Sequence, residues 1–458
     1  MHQDYLGNPF RAAPSSTSRA IDEFVAGYLG YENRAAGILR AADEDPESCM
    51  ANVYAGFLWM LLEAPDAARH AAPYLDAAER TATQATRRER LNAAVLRAWV
   101  DDDLPATLRL CDQVSDEFPR DLVVLKTQQY FEFNRGNSPA MLRAALKAMR
   151  RGADIPHVHG MAAFAFEQCH LLDEAECAAR TALELKRKEP WAQHALAHVM
   201  LTRGRIDEGA GFLEGVADTW TDLNSFMFTH IWWHLALFYL SQGRGSSVLD
   251  IYDRRCWGIA KDYSQDQIGA VSLLARMEIA GIDVGTRWRD LGDHLAARAC
   301  DTVQPFLTLQ YLYGLARAGR AEAGTLLDTV RAAAGTAPLH AREVWRDVAL
   351  PACEGLYAYA RGDFEGAWRY LSAVMPRMAE AGGSHAQRDL FEQILLETAI
   401  KSGRTVTAQQ MLERKRSADP ESVPINRALA AVYADLGLPA PAEQARARAA
   451  ATLSRHPE

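Results

Sequence analysis

Apolar residues recur three and four positions apart along most of this chain, which is the spacing of one buried face on an α-helix. Four such stretches share a register. "LPATLRLCDQV" from Leu104, "SPAMLRAALKAM" from Ser138, "LDEAECAARTAL" from Leu172 and "IDEGAGFLEGV" from Ile206 begin 34 residues apart. Pro105 aligns with Pro139, Asp173 and Asp207, all residue types favoured in a first helical turn. Each stretch leads into a second helical one: "DLVVLKTQQYFEF", "HVHGMAAFAFEQC", "EPWAQHALAHVML" and "FMFTHIWWHLALFYL". A 34-residue helix–turn–helix unit has the length of a tetratricopeptide repeat. The usual residue signature of that repeat is faint, so period and amphipathicity carry the reading. One helix pair cannot cover its own apolar face, whereas stacked pairs share a continuous core. The pattern therefore predicts an all-α fold of tetratricopeptide-like helix–turn–helix repeats forming one superhelix, an α-solenoid. It is expected as a single domain over residues 1–458, with 1–15 and 452–458 as flexible ends.

The rest of the chain reads the same way. "SRAIDEFVAGYLGY", "DAARHAAPYLDAAE", "RERLNAAVLRAWV", "AEAGTLLDTVRAAA", "VALPACEGLYAYARG" and "DFEGAWRYLSAVMPRM" have helical apolar spacing, with Asp, Ser or Thr near their starts and Gly near their ends. "DTWTDLNSF" at 218–226 lengthens one connection, and "AGGSHAQRD" at 381–389 is a Gly-Gly turn into a helix. No stretch alternates with period two for long enough to form a convincing strand.

Composition narrows the function classes. Hydrophobic residues make up 49% and charged residues 24%, a globular mix. The net charge of −9 gives no broad basic face for nucleic acid, so no nucleic-acid partner is expected. The basic run "TRRERL" contains an acid and reads as a helix start. The most apolar stretch, "VYAGFLWMLLEA", falls short of the roughly 20 residues a bilayer span needs, and the N-terminus has no secretory pattern. Seven cysteines without a CxxC, several inside helical patterns, read as reduced thiols. A cytoplasmic protein without a membrane partner is expected; nothing bears on its oligomeric state.

Candidate chemistry lies in the histidines. His194 and His198 are four residues apart in one apolar helical run, and His230 and His234 repeat the spacing 36 residues later. Residues four apart share a helix face. Corresponding helices of adjacent repeats lie side by side, so the two pairs are expected on one wall. Glu167 falls near the same stripe one repeat earlier. Three readings stay open. The four imidazoles suit a transition metal such as zinc, although no HExxH accompanies them. They also suit a metal-free polar pocket, in which neutral imidazoles donate, accept and transfer protons. The third reading is packing histidines that satisfy one another and nearby carbonyls. Trp191, Trp232 and Trp233 flank them; tryptophan there is more often core than clamp. No GxSxG, P-loop, GxGxxG or Cys-His protease pattern occurs.

Several of these stretches together resemble one family. "RRERLNAA", "WAQHALAHVM", "HIWWHLALFYL", "GIDVGTRWRDL", "WRDVALPACEGL" and "GGSHAQRDLFEQILLETA" are similar, in order, to the tetratricopeptide-repeat protein 38 family, over roughly residues 15–415. The resemblance implies a cytosolic all-helical repeat protein and no established activity. It matches His194, His198, His230, His234, Glu167, the Gln387–Arg388–Asp389 run and Arg346–Asp347. Thr308 and Gln310 stand where the family pattern has Asp and His. Two functions follow as expectations. One is a pocket binding a small molecule, with His194, His198, His230, His234 and Glu167 as acid–base groups and Gln387, Arg388, Asp389 and Trp233 as ligand contacts. The other is a non-catalytic scaffold holding a peptide in a concave groove. Whether a reaction follows stays open, as does the cofactor.

Overall fold

Helices begin where the 34-residue period places them. Leu104–Glu117, Ser138–Gly152, Leu172–Leu185 and Ile206–Val216 each pack beside a partner, among them Leu122–Asn134, Pro156–Gln168, Pro190–Thr202 and Ser225–Gln242. Asp103 caps the first by accepting from the Ala106 amide at 2.9 Å. Pro105 and Pro139 sit in the first turn of their helices, where a missing N–H is harmless. The basic run opens the helix Arg87–Val100 with a capping box between Thr86 and Glu89. The computed structural model describes residues 2–11 and 13–457. The protein is all-α with tetratricopeptide-like helix pairs, and the only paired strands among the described residues are His2–Gln3 and Pro9–Phe10. Among the described residues, no helix is long and apolar enough to cross a membrane.

The chain divides into two units: Met1–Leu196 with Thr219–Met227, and Ala197–Asp218 with Phe228–Glu458. In the first unit, helices from Ser15–Gly30 to Pro156–Gln168 stack on a shared core. Phe24 and Tyr54 stack there with ring centroids 4.3 Å apart. The N-terminal hairpin folds onto this core through a buried network. Arg88 Nε donates to Asp121 at 2.7 Å, its Nη2 lies 3.2 Å from Asp4, and the same nitrogen donates to the Tyr54 hydroxyl at 2.8 Å. The long connection is also pinned within this unit. Trp220 Nε1 donates to Gln193 at 2.9 Å, and Asn33 donates to the Leu223 carbonyl at 3.0 Å.

The second unit closes on itself. Its last helices, Thr405–Ala418, Val423–Asp435 and Pro439–Arg455, return to its first. Ser241 donates to Asp419 at 2.5 Å across 178 residues of sequence, and His456 lies 3.1 Å from Asp207. The approach is tight at Gly204. Its φ of 66° is the left-handed region, and a Cβ there would strike the Ala418 carbonyl. The helices Ile206–Val216 and Ser225–Gln242 are equally close, because Gly209 lies against the Phe238 ring, where a Cβ would overlap it. Gly209→Ala is accordingly expected to cost about 1–3 kcal/mol through overpacking, read as a lower midpoint in chemical denaturation. Unchanged stability would show that this helix pair is loosely packed.

Candidate functional site

The second unit gathers three of the four sequence-predicted histidines. His198 comes from Pro190–Thr202, and His230 and His234 come from Ser225–Gln242. Both helices are apolar on nearly every face, so both are buried rather than amphipathic. Ile231, Trp233, Leu235, Ala236 and Phe238 are all buried beside the second pair. His198 is 1% exposed and His234 0%. The His198 and His234 ring centroids lie 4.5 Å apart, and those of His230 and His234 lie 4.8 Å apart at 88°. The i, i+4 spacing and the side-by-side helices thus bring three imidazoles into contact. His230 is half-buried. Desolvation, followed by the repulsion of His198, nevertheless pushes its pKa down to about 3. At neutral pH this ring is uncharged, with one donor and one acceptor nitrogen.

An aromatic and cationic chain leads away from the cluster. His230 stacks on Trp233 at 5.3 Å and 9°, and Trp233 also meets His234 edge-on at 4.8 Å. Arg276, from the helix Ser264–Ile279, sits 5.5 Å from the Trp233 ring. It donates to Ser272 Oγ at 2.7 Å and to the Ala386 carbonyl at 2.5 Å, and lies 3.8 Å from Asp389. Burial lowers its pKa to about 10, against the pull of Asp389, so it remains charged. Thr229, one residue before His230, donates to Asp266 on the same helix as Arg276 at 3.2 Å. These contacts fix the histidine helix against its neighbour.

The run Gln387–Arg388–Asp389 opens the helix His385–Lys401. Gln387 forms the capping box with Ser384: its Oε1 accepts from the Ser384 amide at 2.9 Å. Arg388 donates to the Gly383 carbonyl. Asp389 accepts from Lys415 and from Gln393, each at 2.5 Å. Desolvation raises its pKa, but Lys415 and Arg276 outweigh that and hold it below the usual carboxylate range. Of these three residues, Asp389 is tied to the histidine cluster, through Arg276 and Trp233.

His194 and Glu167 belong to the first unit. His194, one turn before His198 on the same helix, stacks on Trp191 at 4.4 Å and lies 5.2 Å from Phe164. Glu167 is fully buried and accepts from Gln168 at 2.5 Å. Arg346 and Asp347 form a bidentate pair with each other at 2.7 and 2.8 Å. Thr308 and Gln310, the departures from the family pattern, are both buried in Pro305–Arg317. Thr308 spends its hydroxyl on the Asp301 and Gln304 carbonyls, both at 2.9 Å.

Arg276 is the residue that sequence reasoning missed. Its signal was present: one arginine inside the apolar run "VSLLARMEIA", where a charge is buried only if it is paired.

No family model matches the sequence. Among solved structures, human IFIT1 as a dimer with m7Gppp-AAAA shares 11% identity over 98% of this chain and 96% of that one, at a TM-score of 0.43. The P58(IPK) TPR domain shares 13% over 81% and 94%, at 0.23. The Naa15/Naa10 complex bound to HypK shares 12% over 96% and 68%, at 0.25. These likenesses carry no argument about function, and the fold assignment rests on the helices of this chain.

Proposed function

We propose that this is a cytosolic helical-repeat protein of the tetratricopeptide-repeat protein 38 type that binds a small, hydrogen-bonding molecule at the histidine cluster of its second unit. The observation that carries this reading is the contact of three imidazoles at 4.5 and 4.8 Å, one of them held neutral. Apolar side chains would fill the same space without the penalty of burying polar rings. Neutral imidazoles instead offer paired donors and acceptors. A ring with a pKa near 3 is a weak base at neutral pH, so His230 serves as a hydrogen-bonding partner. Proton transfer is assigned to His198 and His234. Trp233, Arg276 and Asp389 position the cluster.

A thermal-shift screen of metabolites tests this. One chemical class should stabilise the wild type, by at least about 2.7 kcal/mol at a hundredfold excess over its Kd, and should leave a His198→Ala, His234→Ala variant unshifted from its own baseline. Equal shifts in both proteins would sink the reading.

A second reading is favoured by the nitrogens themselves. Ligand atoms of His230 and His234 lie within 4.8 Å of each other, and imidazole nitrogens are donors that zinc accepts. Little proton competition opposes metal at His230. Elemental analysis of protein purified without a nickel column decides it: less than about a tenth of an equivalent of any transition metal, against the one a built site holds, excludes it.

A further inference from the structure

Away from the histidines, the second unit holds a cavity of about 380 Å³, within the size range of small-molecule sites. The helices Ser264–Ile279, Pro305–Arg317, Leu350–Ala360 and His385–Lys401 all end at it. Its charges come in both signs. Glu278 and Glu397 face Arg317 and Lys401 around the lining, and the pairs are only partly used. Arg317 gives a single nitrogen, Nη2, to both Glu278 oxygens at 2.8 Å. Lys401 meets one Glu397 oxygen at 3.0 Å.

The walls are aromatic. Tyr313 and Tyr359 lie 6.2 Å apart, and Tyr359 meets Phe364 edge-on at 5.9 Å. Tyr313 is 1% exposed, yet its hydroxyl makes no hydrogen bond among the described residues, nor does that of Tyr359. Tyr359 is half-buried, and both hydroxyls are available to donate to a molecule held in the cavity. Burial raises the pKa of both phenols, so they act as neutral donors.

We propose that this cavity binds a free α-amino acid with a large apolar side chain. A simple anion would face two carboxylates, and a simple cation two basic groups; a zwitterion is matched at both ends. The ammonium group is assigned to Glu397 and to the carbonyl ends of the surrounding helices, which carry partial negative charge. The carboxylate is assigned to Arg317 and the Tyr313 hydroxyl, and the side chain to the Tyr359 and Phe364 faces. The site is independent of the histidine cluster.

Calorimetric titration of the full-length protein with L-phenylalanine tests this, beside phenethylamine, which lacks the carboxylate, and 3-phenylpropionate, which lacks the ammonium. L-Phenylalanine should bind at least about tenfold more tightly than either analogue, the loss expected when a charge-assisted hydrogen bond is removed. Tyr313→Phe and Glu397→Gln should each weaken it by about tenfold while leaving the circular dichroism and melting temperature intact. If either variant unfolds, the analogue series on wild type still decides. No heat with L-phenylalanine at millimolar concentration, or equal affinity for all three compounds, overturns the proposal.

Discussion

Replacing Arg88 with alanine is expected to destabilise the first unit by about 3–5 kcal/mol, the range for breaking a buried ion pair and leaving its partner charged. Arg88 is 0% exposed, as are the side chains of Asp4 and Asp121. Removing the guanidinium leaves both buried carboxylates without their counter-charge and takes away the donor to the Tyr54 hydroxyl. The two acids are not equivalent. Burial raises the pKa of Asp4 even against the attraction of Arg88, so Asp4 is the weaker partner. Asp121 is the closer partner of the guanidinium, taking Arg88 Nε at 2.7 Å and Asn92 Nδ2 at 3.1 Å, whereas Asp4 also accepts from the Leu6 and Asn8 amides at 3.0 and 2.9 Å and keeps those bonds without Arg88. Asp121→Asn should therefore cost more than Asp4→Asn in urea denaturation. The exposed pair of Arg404 with Glu365 is the control, and its removal should leave the midpoint where it was. An Arg88→Ala protein as stable as wild type would mean the network is dispensable.

The second large effect is pH-dependent. Between about pH 3 and 6.5, stability is expected to rise with pH by up to about 1.4 kcal/mol per unit on account of His230 alone. The folded-state pKa near 3 lies below the ordinary 6.5. In that window the unfolded chain binds a proton that the folded chain refuses. The contribution is fully present above pH 6.5 and is lost as the pH falls toward 3. From pH 7 to pH 5 the loss is up to about 2 kcal/mol; the half-buried position of the ring makes this an upper figure. A His230→Leu variant isolates the effect from other titrating groups: its stability should fall less steeply over the same interval. Parallel curves for the two proteins would show that His230 titrates alike in both states.

Much of this architecture was legible because it repeats. The starts at Leu104, Ser138, Leu172 and Ile206 could be read from period and first-turn residues, and the i, i+4 histidines could be read because helical spacing is local. What depends on distant partners was not legible. "RRERL" looks like a solvated helix start, and it is a helix start. Yet Arg88 and Glu89 are buried, because the N-terminal hairpin, with strands too short to show any alternation, lies over them. Arg276 lies 43 residues after Trp233 and 113 before Asp389, so no spacing rule could join them. The return of the last helices onto Gly204 and Ser241 is a long-range closure of the same kind. The contacts of Gln387 and Arg388 with Ser384 and Gly383 at the helix start are local, and the run "GGSHAQRD" already showed a turn into a helix.

The imidazole cluster is tested most directly by side-chain nitrogen–proton correlation spectra of the histidines, recorded from pH 4 to pH 8 with His230 assigned by substitution. The expected result is a His230 ring that stays neutral across the whole range. A His230 titration midpoint near the ordinary 6.5 would contradict it: the ring would then be solvated as a surface histidine is, and the cluster would be no enclosed site.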